Sequence, residues 1–325
     1  MGARQPPKKE QPTRIVLKML VVVILVLGVG IVIWRETTHQ RIPLVERDRV
    51  AALGLDPDVL ITVNGRTLYV VERTTGDVPV LLFHDVDIAG SVVFDDLVAA
   101  IDGDASAVAV DLPGFGLSQR IPEEGAPHTV AQMGRDLVAV IETRFDGPVV
   151  VAGVGLGGEV AAEIAATRPD LVSGLVMIDV DFWRKDGWRE RSQRLPFVGK
   201  AMTFRHETSG GSAHRTWSPY CDRGGWCPSL EQQGRRLVTA AIVGSTDSVN
   251  SFHRTPRSSF VPDDLNLITA PTVYVWSSNG SVPRSSVDRI EAAIPGMTVS
   301  EVAVYQAHVE AADQVAAAIA TVVSR

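Results

Sequence analysis

Several things are scarce in this chain, and each shortage closes off a class of function. Two of its 325 residues are cysteine, Cys221 and Cys227. That is too few for a disulfide-built scaffold, and too few for a structural zinc site without histidine help. The seven histidines are scattered without ligand spacing, so no metal is expected. No segment has the polar, low-complexity composition of a long disordered region, and no period of solenoid type appears. A phosphate-binding loop is also missing. Gly153-Val154-Gly155-Leu156-Gly157-Gly158 is superficially like a dinucleotide fingerprint. Its third glycine is misplaced, however, and no ribose-binding acid follows at the expected distance. No cofactor is expected.

There is one long hydrophobic run. Ile15 to Trp34 holds a single charge, Lys18, near its start. Twenty helical residues span about 30 Å, the thickness of a bilayer's hydrocarbon. Lys18 is placed to snorkel and Trp34 to sit at the interface. A cleaved signal peptide would end in small residues, whereas Ile31-Val32-Ile33-Trp34-Arg35 follows here. The run is therefore expected to be an uncleaved anchor, with lipid as its partner. Arg4, Lys8, Lys9 and Arg14 precede it and Arg35, Arg41, Arg47 and Arg49 follow, so charge sets its orientation only weakly. Cys221 and Cys227, either side of a Gly224-Gly225 pair, read as one small disulfide of an oxidising compartment. That favours a globular domain outside the cytoplasm.

The charge is unevenly divided. The whole chain carries −7. Residues 183–262 carry +7, whereas 57–182 and 263–325 together carry −18. Such a basic insert either docks on the acidic body or faces an anionic lipid or polymer. Nucleic acid is not expected, because the body would repel phosphate. The insert also holds Trp183, Trp188, Trp217 and Trp226, together with Arg189, Arg191, Arg194, Arg235 and Arg236. Trp and Arg are enriched at binding hot spots, although the tryptophans would equally serve to pack a small subdomain.

Patterning of the remainder predicts alternating strands and helices. Val59 to Val71 alternates around Asn64-Gly65, a hairpin turn. Val78 to Phe83, Ala107 to Val110, Pro148 to Ala152, Leu175 to Ile178, Thr272 to Trp276 and Thr298 to Val304 read as strands. Helices are predicted over Phe94 to Ile101, Thr129 to Thr143 with Thr129 as N-cap, Glu159 to Ala166, and Val309 to Val323. This alternation implies an α/β fold with a mostly parallel sheet and helices on both faces. The expected organisation is a basic tail (1–14), a transmembrane helix (15–34), a stalk (35–56), a first core part (57–182), the basic insertion (183–262) and a last core part (263–325).

Over residues 57–325 the chain resembles the α/β-hydrolase superfamily. Asp111-Leu112-Pro113-Gly114-Phe115-Gly116-Leu117-Ser118 is similar to the loop after that family's fourth strand, and 183–262 falls where it inserts a cap. Val149 to Gly158 matches the strand-to-helix nucleophile elbow, with Gly153 and Gly157 as its flanking glycines. The residue between them is Gly155, which has no attacking atom. Glycine tolerates the strained elbow at little cost, whereas other residues spend about 1–3 kcal/mol there, so the bend is expected to survive. The resemblance puts the acid on Gly280, or on Asn279 with a one-residue slip, and neither carries charge. Asp181 is the alternative acid; otherwise Asp179 and Asp181 cap or bond a loop. His308, in Gln306-Ala307-His308, takes the place of the triad histidine. The oxyanion donors would be the N–H groups near Val86 and of Leu156. The family's His-Gly is here His84-Asp85, and Asp85 and Asp87 bring negative charge to that spot. The ligand pocket is expected to involve His84, Asp85, Val86, Leu156 and His308.

These departures predict a membrane-tethered, catalytically degenerate protein that binds a small apolar or acidic ligand, or a protein partner at the cap. The alternatives are two. One is an active enzyme with His308 as base, a water or a displaced serine such as Ser91 or Ser277 as nucleophile, and Asp181 as orienter. The other is a structural scaffold.

Overall fold

The computed structural model describes residues 12–39, 60–122, 128–222, 226–255 and 262–324. Met1–Pro43 and Leu44–Arg325 form two compact units. In the first, helix α1 (Pro12–His39) contains Arg14–Trp34, a stretch long and apolar enough to cross a membrane. Its side chains from Ile15 to Ile33 are exposed. Such a helix satisfies its backbone internally, which lipid requires. Most of the expected tail (1–11) and most of the expected stalk (40–56) lie outside the described residues.

The second unit is built on eight strands: β1 (Leu60–Val63), β2 (Arg66–Arg73), β3 (Val78–Phe83), β4 (Ala105–Val110), β5 (Val149–Val154), β6 (Val172–Ile178), β7 (Thr272–Ser277) and β8 (Thr298–Val302). Their spatial order is β1-β2-β4-β3-β5-β6-β7-β8. β1 and β2 pair antiparallel, as do β2 and β4; every other pairing is parallel. Asn64 (φ +49) and Gly65 (φ +74) turn the first hairpin, as the Asn-Gly pair predicts.

The helices of this unit are α2 (Asp95–Ala100), α3 (Val130–Arg144), α4 (Leu156–Thr167), α5 (Trp188–Gln193), α6 (Gly199–Thr203), α7 (Gly210–Asp222), α8 (Leu230–Ala241), α9 (Ser245–Arg254), α10 (Arg284–Ala293), α11 (Ala307–Glu310) and α12 (Ala312–Val323). α3 starts where expected: the Thr129 side chain accepts the Gln132 N–H at 3.1 Å. The closing helix differs from expectation. It is broken at Ala311 (φ −144), and Glu310 turns back to accept the Tyr305 and Gln306 N–H groups. That isolates His308 on its own short turn.

Because successive strand residues face opposite sides, the continuous apolar runs feed two cores. Leu81, Phe83, Val108, Val149, Val151 and Leu175 pack with α3 and α4. Val80, Leu82, Ala107, Val150, Val176 and Val275 pack with α2 and α12. α4 lies very close to the sheet, because a Cβ at Gly157 would collide with the Phe83 carbonyl. The parallel strands thus end together, and their following loops meet at one edge, where open α/β sheets bind ligands.

The insert between β6 and β7 folds as α5 to α9. It is fastened to the body by apolar packing of Val249 and Phe252 with Phe115, and by polar contacts. Arg236 pairs with Asp87, Arg235 pairs with Asp95, and Trp226 Nε1 donates to Asp96 at 2.7 Å. Arg236 is nearly fully buried and also lies 5.3 Å from the Trp217 ring centroid. The disulfide Cys221–Cys227 is formed (S–S 2.02 Å).

Candidate active site

Five strand ends bring the site together. After β5 the chain bends at Gly155 (φ +50, ψ −114) and enters α4. A side chain here would be strained, and space is short as well. A Cβ on Gly155 would stand 2.5 Å from the Asp85 carboxyl carbon and 2.8 Å from its Oδ2. Asp85, from the loop after β3, therefore fills the volume above the bend. Its Oδ1 accepts the Leu156 N–H at 2.8 Å, the first amide of α4. An anion at a helix N-terminus is favoured by the dipole and by the unpaired N–H groups.

His84 precedes Asp85 but turns away from the cavity. It is fully buried; its Nε2 accepts the Leu112 N–H at 2.9 Å and its Nδ1 donates to the Asp85 carbonyl. It ties the β3 loop to the β4 loop. Both of its nitrogens are spent on backbone, so neither is left for a ligand. Leu156 likewise stays behind the wall, its side chain in the core, and only its N–H faces Asp85.

Asp179 follows β6 directly, with φ +50. Its Oδ2 accepts the Ser277 hydroxyl at 2.5 Å and its Oδ1 the Ser277 N–H at 2.7 Å. The Ser277 hydroxyl in turn accepts the Ala307 N–H at 2.9 Å. Burial pushes Asp179 up to about 6, against the pull of the Ser277 bonds; the Asp85 charge adds to the rise. Asp181 serves the loop instead, accepting the Trp183 N–H at 3.1 Å. Asn279 donates to the Ala303 carbonyl at 3.0 Å, and the Gly280 N–H donates to Ser277. Both positions after β7 are therefore occupied with closing a turn.

His308 is buried, and its Nδ1 has no hydrogen-bond partner. Burial pushes its pKa down to about 4, although Asp85 and Asp87 pull upward. The ring is neutral at pH 7, and among the described residues no acid orients it as a triad acid would. Of the displaced serines considered, Ser277 is spent on Asp179. Ser91 is buried, its N–H bonded to Asp111 at 2.6 Å, and it lines a separate cavity beside Tyr69.

A cavity of about 300 Å³ lies over the elbow. The body contributes Asp85, Val86 and His308, and the insert contributes Arg189, Glu207 and Trp217, among others. Arg189 pairs with Glu207 at 2.7 Å, and Gln193 also donates to Glu207. The pairing of Asp87 with Arg236 was not foreseen from sequence, because it joins residues 149 apart. Among the described residues, no group of three or more His, Cys, Asp or Glu is placed to hold a metal.

The strand order and the strand-to-helix bend define an α/β-hydrolase architecture. The family model described as "Alpha/beta hydrolase family" matches residues 80–318, and the chain belongs to that family. It is 34% identical over 113 residues to 2-(acetamidomethylene)succinate hydrolase of Mesorhizobium japonicum, covering 35% of this chain and 39% of that relative. It is 25% identical over 270 residues to haloalkane dehalogenase 2 of Mycobacterium tuberculosis, covering 78% and 90% respectively. A hydrolase structure from Pseudomonas aeruginosa superposes with a TM-score of 0.67 at 18% identity, over 83% of this chain and all of that one. This last likeness concerns the fold alone.

Proposed function

We propose that this chain is a membrane-tethered, capped member of the family that has lost serine-type hydrolysis and keeps its cavity for binding. In this reading Gly155 stands at the nucleophile position, α1 is the anchor, and the insert is the cap. The ligand is a small apolar or acidic molecule, or a partner in the cell envelope. The disulfide supports a domain facing an oxidising compartment. The named relatives are hydrolytic, so the loss is argued from this chain's own site.

One observation carries the reading: the Asp85 carboxylate lies over Gly155 and takes the Leu156 N–H. An oxyanion at that amide would have to displace Asp85 or sit beside its charge, and either opposes transition-state stabilisation. His308, without an acid on Nδ1, has no serine hydroxyl at the bend to deprotonate. The test is covalent labelling of the full chain with a fluorophosphonate. No serine should react, and a labelled serine lining the cavity would defeat the reading.

A second reading is favoured by the same geometry. Asp85 holds one oxygen on the Leu156 N–H, and its carboxyl group occupies the space of the missing side chain. In this version the other oxygen attacks a saturated carbon, and the leaving group departs with its electron pair. Water, deprotonated by His308, then cleaves the aspartyl ester and releases an alcohol. Single turnover in ¹⁸O-labelled water decides between the two: label in the peptide containing Asp85 supports catalysis, and unlabelled Asp85 supports binding alone.

A further inference from the structure

We propose that Trp188, Leu195 and Phe197, together with Lys185 and Arg191, form a surface of the insert that docks on an anionic lipid bilayer. The three apolar residues are 71%, 49% and 80% exposed and lie within ten residues of one another. Trp188, Arg191 and Leu195 recur at the spacing of one helix face. The Leu195 N–H still bonds back to Ser192 at 3.3 Å, so the coil carries that face beyond α5.

Phe197 makes the arrangement unusual. It has φ +66, a left-handed conformation that a bulky side chain adopts only under constraint. In exchange it gains no packing, because the ring is exposed. Backbone strain of this kind concentrates at functional positions. The opposite side of the same segment is firmly held. Ser192 and Gln193 are buried, Asn250 donates to the Gln193 carbonyl at 2.9 Å, and Gln193 bonds Glu207. The outward residues are therefore presented by an anchored base.

The charges select the partner. Between residues 184 and 194 there are five Lys or Arg against Asp186 and Glu190. Arg184, Arg189 and Arg194 are in ion pairs with Glu190, Glu207 and Asp186. The side chains of Lys185 and Arg191 make no ion pair among the described residues. Aromatic and aliphatic side chains flanked by unneutralised cations match the interface of an anionic membrane, where apolar insertion and lipid charge act together. A neutral protein groove would leave the cations unmatched. The inference rests on the tethered reading in one respect, that α1 keeps the globular unit within reach of a bilayer.

The experiment uses the full chain in nanodiscs of phosphatidylcholine, with or without phosphatidylglycerol. An environment-sensitive dye is placed on Phe197→Cys and, as a control, on Asp288→Cys of α10. In anionic discs at low salt the dye at 197 should shift to the blue, and its quenching by aqueous iodide should fall several-fold; added salt should partly restore it. The dye at 288 should not change. Arg191→Glu, which leaves the apolar residues in place, should reduce the protection at 197. Equal quenching at 197 and 288 in both discs overturns the proposal. So does protection that is independent of lipid charge and grows with the number of chains per disc, which would mark a contact between copies. Carbonate extraction tests the tether separately. A chain that resists extraction while 197 remains quenchable sinks the docking alone. A chain released by carbonate sinks the tether, and protection of 197 on added anionic vesicles then decides the docking.

Discussion

The two walls of the cavity are held in different ways. The body wall stands on strand ends whose polar groups are fixed by hydrogen bonds to neighbouring loops: the Asp85 carboxylate takes the Leu156 N–H, Asp179 the Ser277 N–H and hydroxyl, and His84 the Leu112 N–H. The insert wall adds pairs of opposite side-chain charges to its apolar packing, Arg236 with Asp87 and Arg235 with Asp95. The body wall therefore depends on carboxylates bonded to backbone and hydroxyl groups, whereas the insert wall depends in part on pairs of opposite charge.

The largest loss is expected from Arg236→Met. Arg236 is buried and Asp87 partly so; removing one partner of a fully buried pair costs about 3–5 kcal/mol, and a loss at or below that range is expected. Urea unfolding should show that loss, and Arg236→Met with Asp87→Leu should recover much of it. On the body wall, Gly155→Ser meets both the left-handed backbone and the Asp85 carboxyl, and about 1–3 kcal/mol of destabilisation is expected. Combining it with Asp85→Gly should relieve the collision, though not the backbone strain. Fluorophosphonate labelling of this double variant would measure how much of the old chemistry the remaining backbone supports.

A pH titration separates the buried histidines from Asp179. His308 and His128 are both pushed down to about 4 by burial, so the folded protein binds fewer protons than the unfolded chain between pH 4 and 6.5. Stability should fall as pH drops through that window. Asp179, raised to about 6, acts oppositely: its protonated form is favoured in the fold, so its contribution is lost as pH rises from 3.8 through 6. His308→Gln should flatten the acid limb by up to about 1.4 kcal/mol per pH unit, read from denaturant midpoints across pH 4 to 6.5. The smallest effect is expected from Thr129→Ala, which removes the α3 N-cap and should cost about 1 kcal/mol by thermal or urea unfolding.

Separation along the chain decided what could be read from it. Val78 to Phe83, the Asn64-Gly65 turn and the Thr129 cap depend on neighbouring residues, and each element forms close to its predicted place. The closing helix was predicted unbroken, because a run of alanine and valine gives no sign of the turn that Glu310 imposes on residues behind it. The five insert helices were not predicted; their anchoring acids lie in distant loops. At the site, Asp85 was recognised as a charge near the elbow, but its bond to Leu156 joins loops 71 residues apart. The sequence offered Asp181 as the alternative acid, whereas the carboxyl that bonds Ser277 at the end of β6 is Asp179. Its place immediately after Ile178 was the available signal, since side chains converge where parallel strands end.

Whether the bend at Gly155 is chemically silent can be read from a fluorophosphonate profile of the intact, detergent-solubilised chain. No serine should carry an adduct, and the intact mass should be unchanged after prolonged exposure. A stoichiometric adduct on a serine lining the cavity, abolished by His308→Ala, would show that serine chemistry survives.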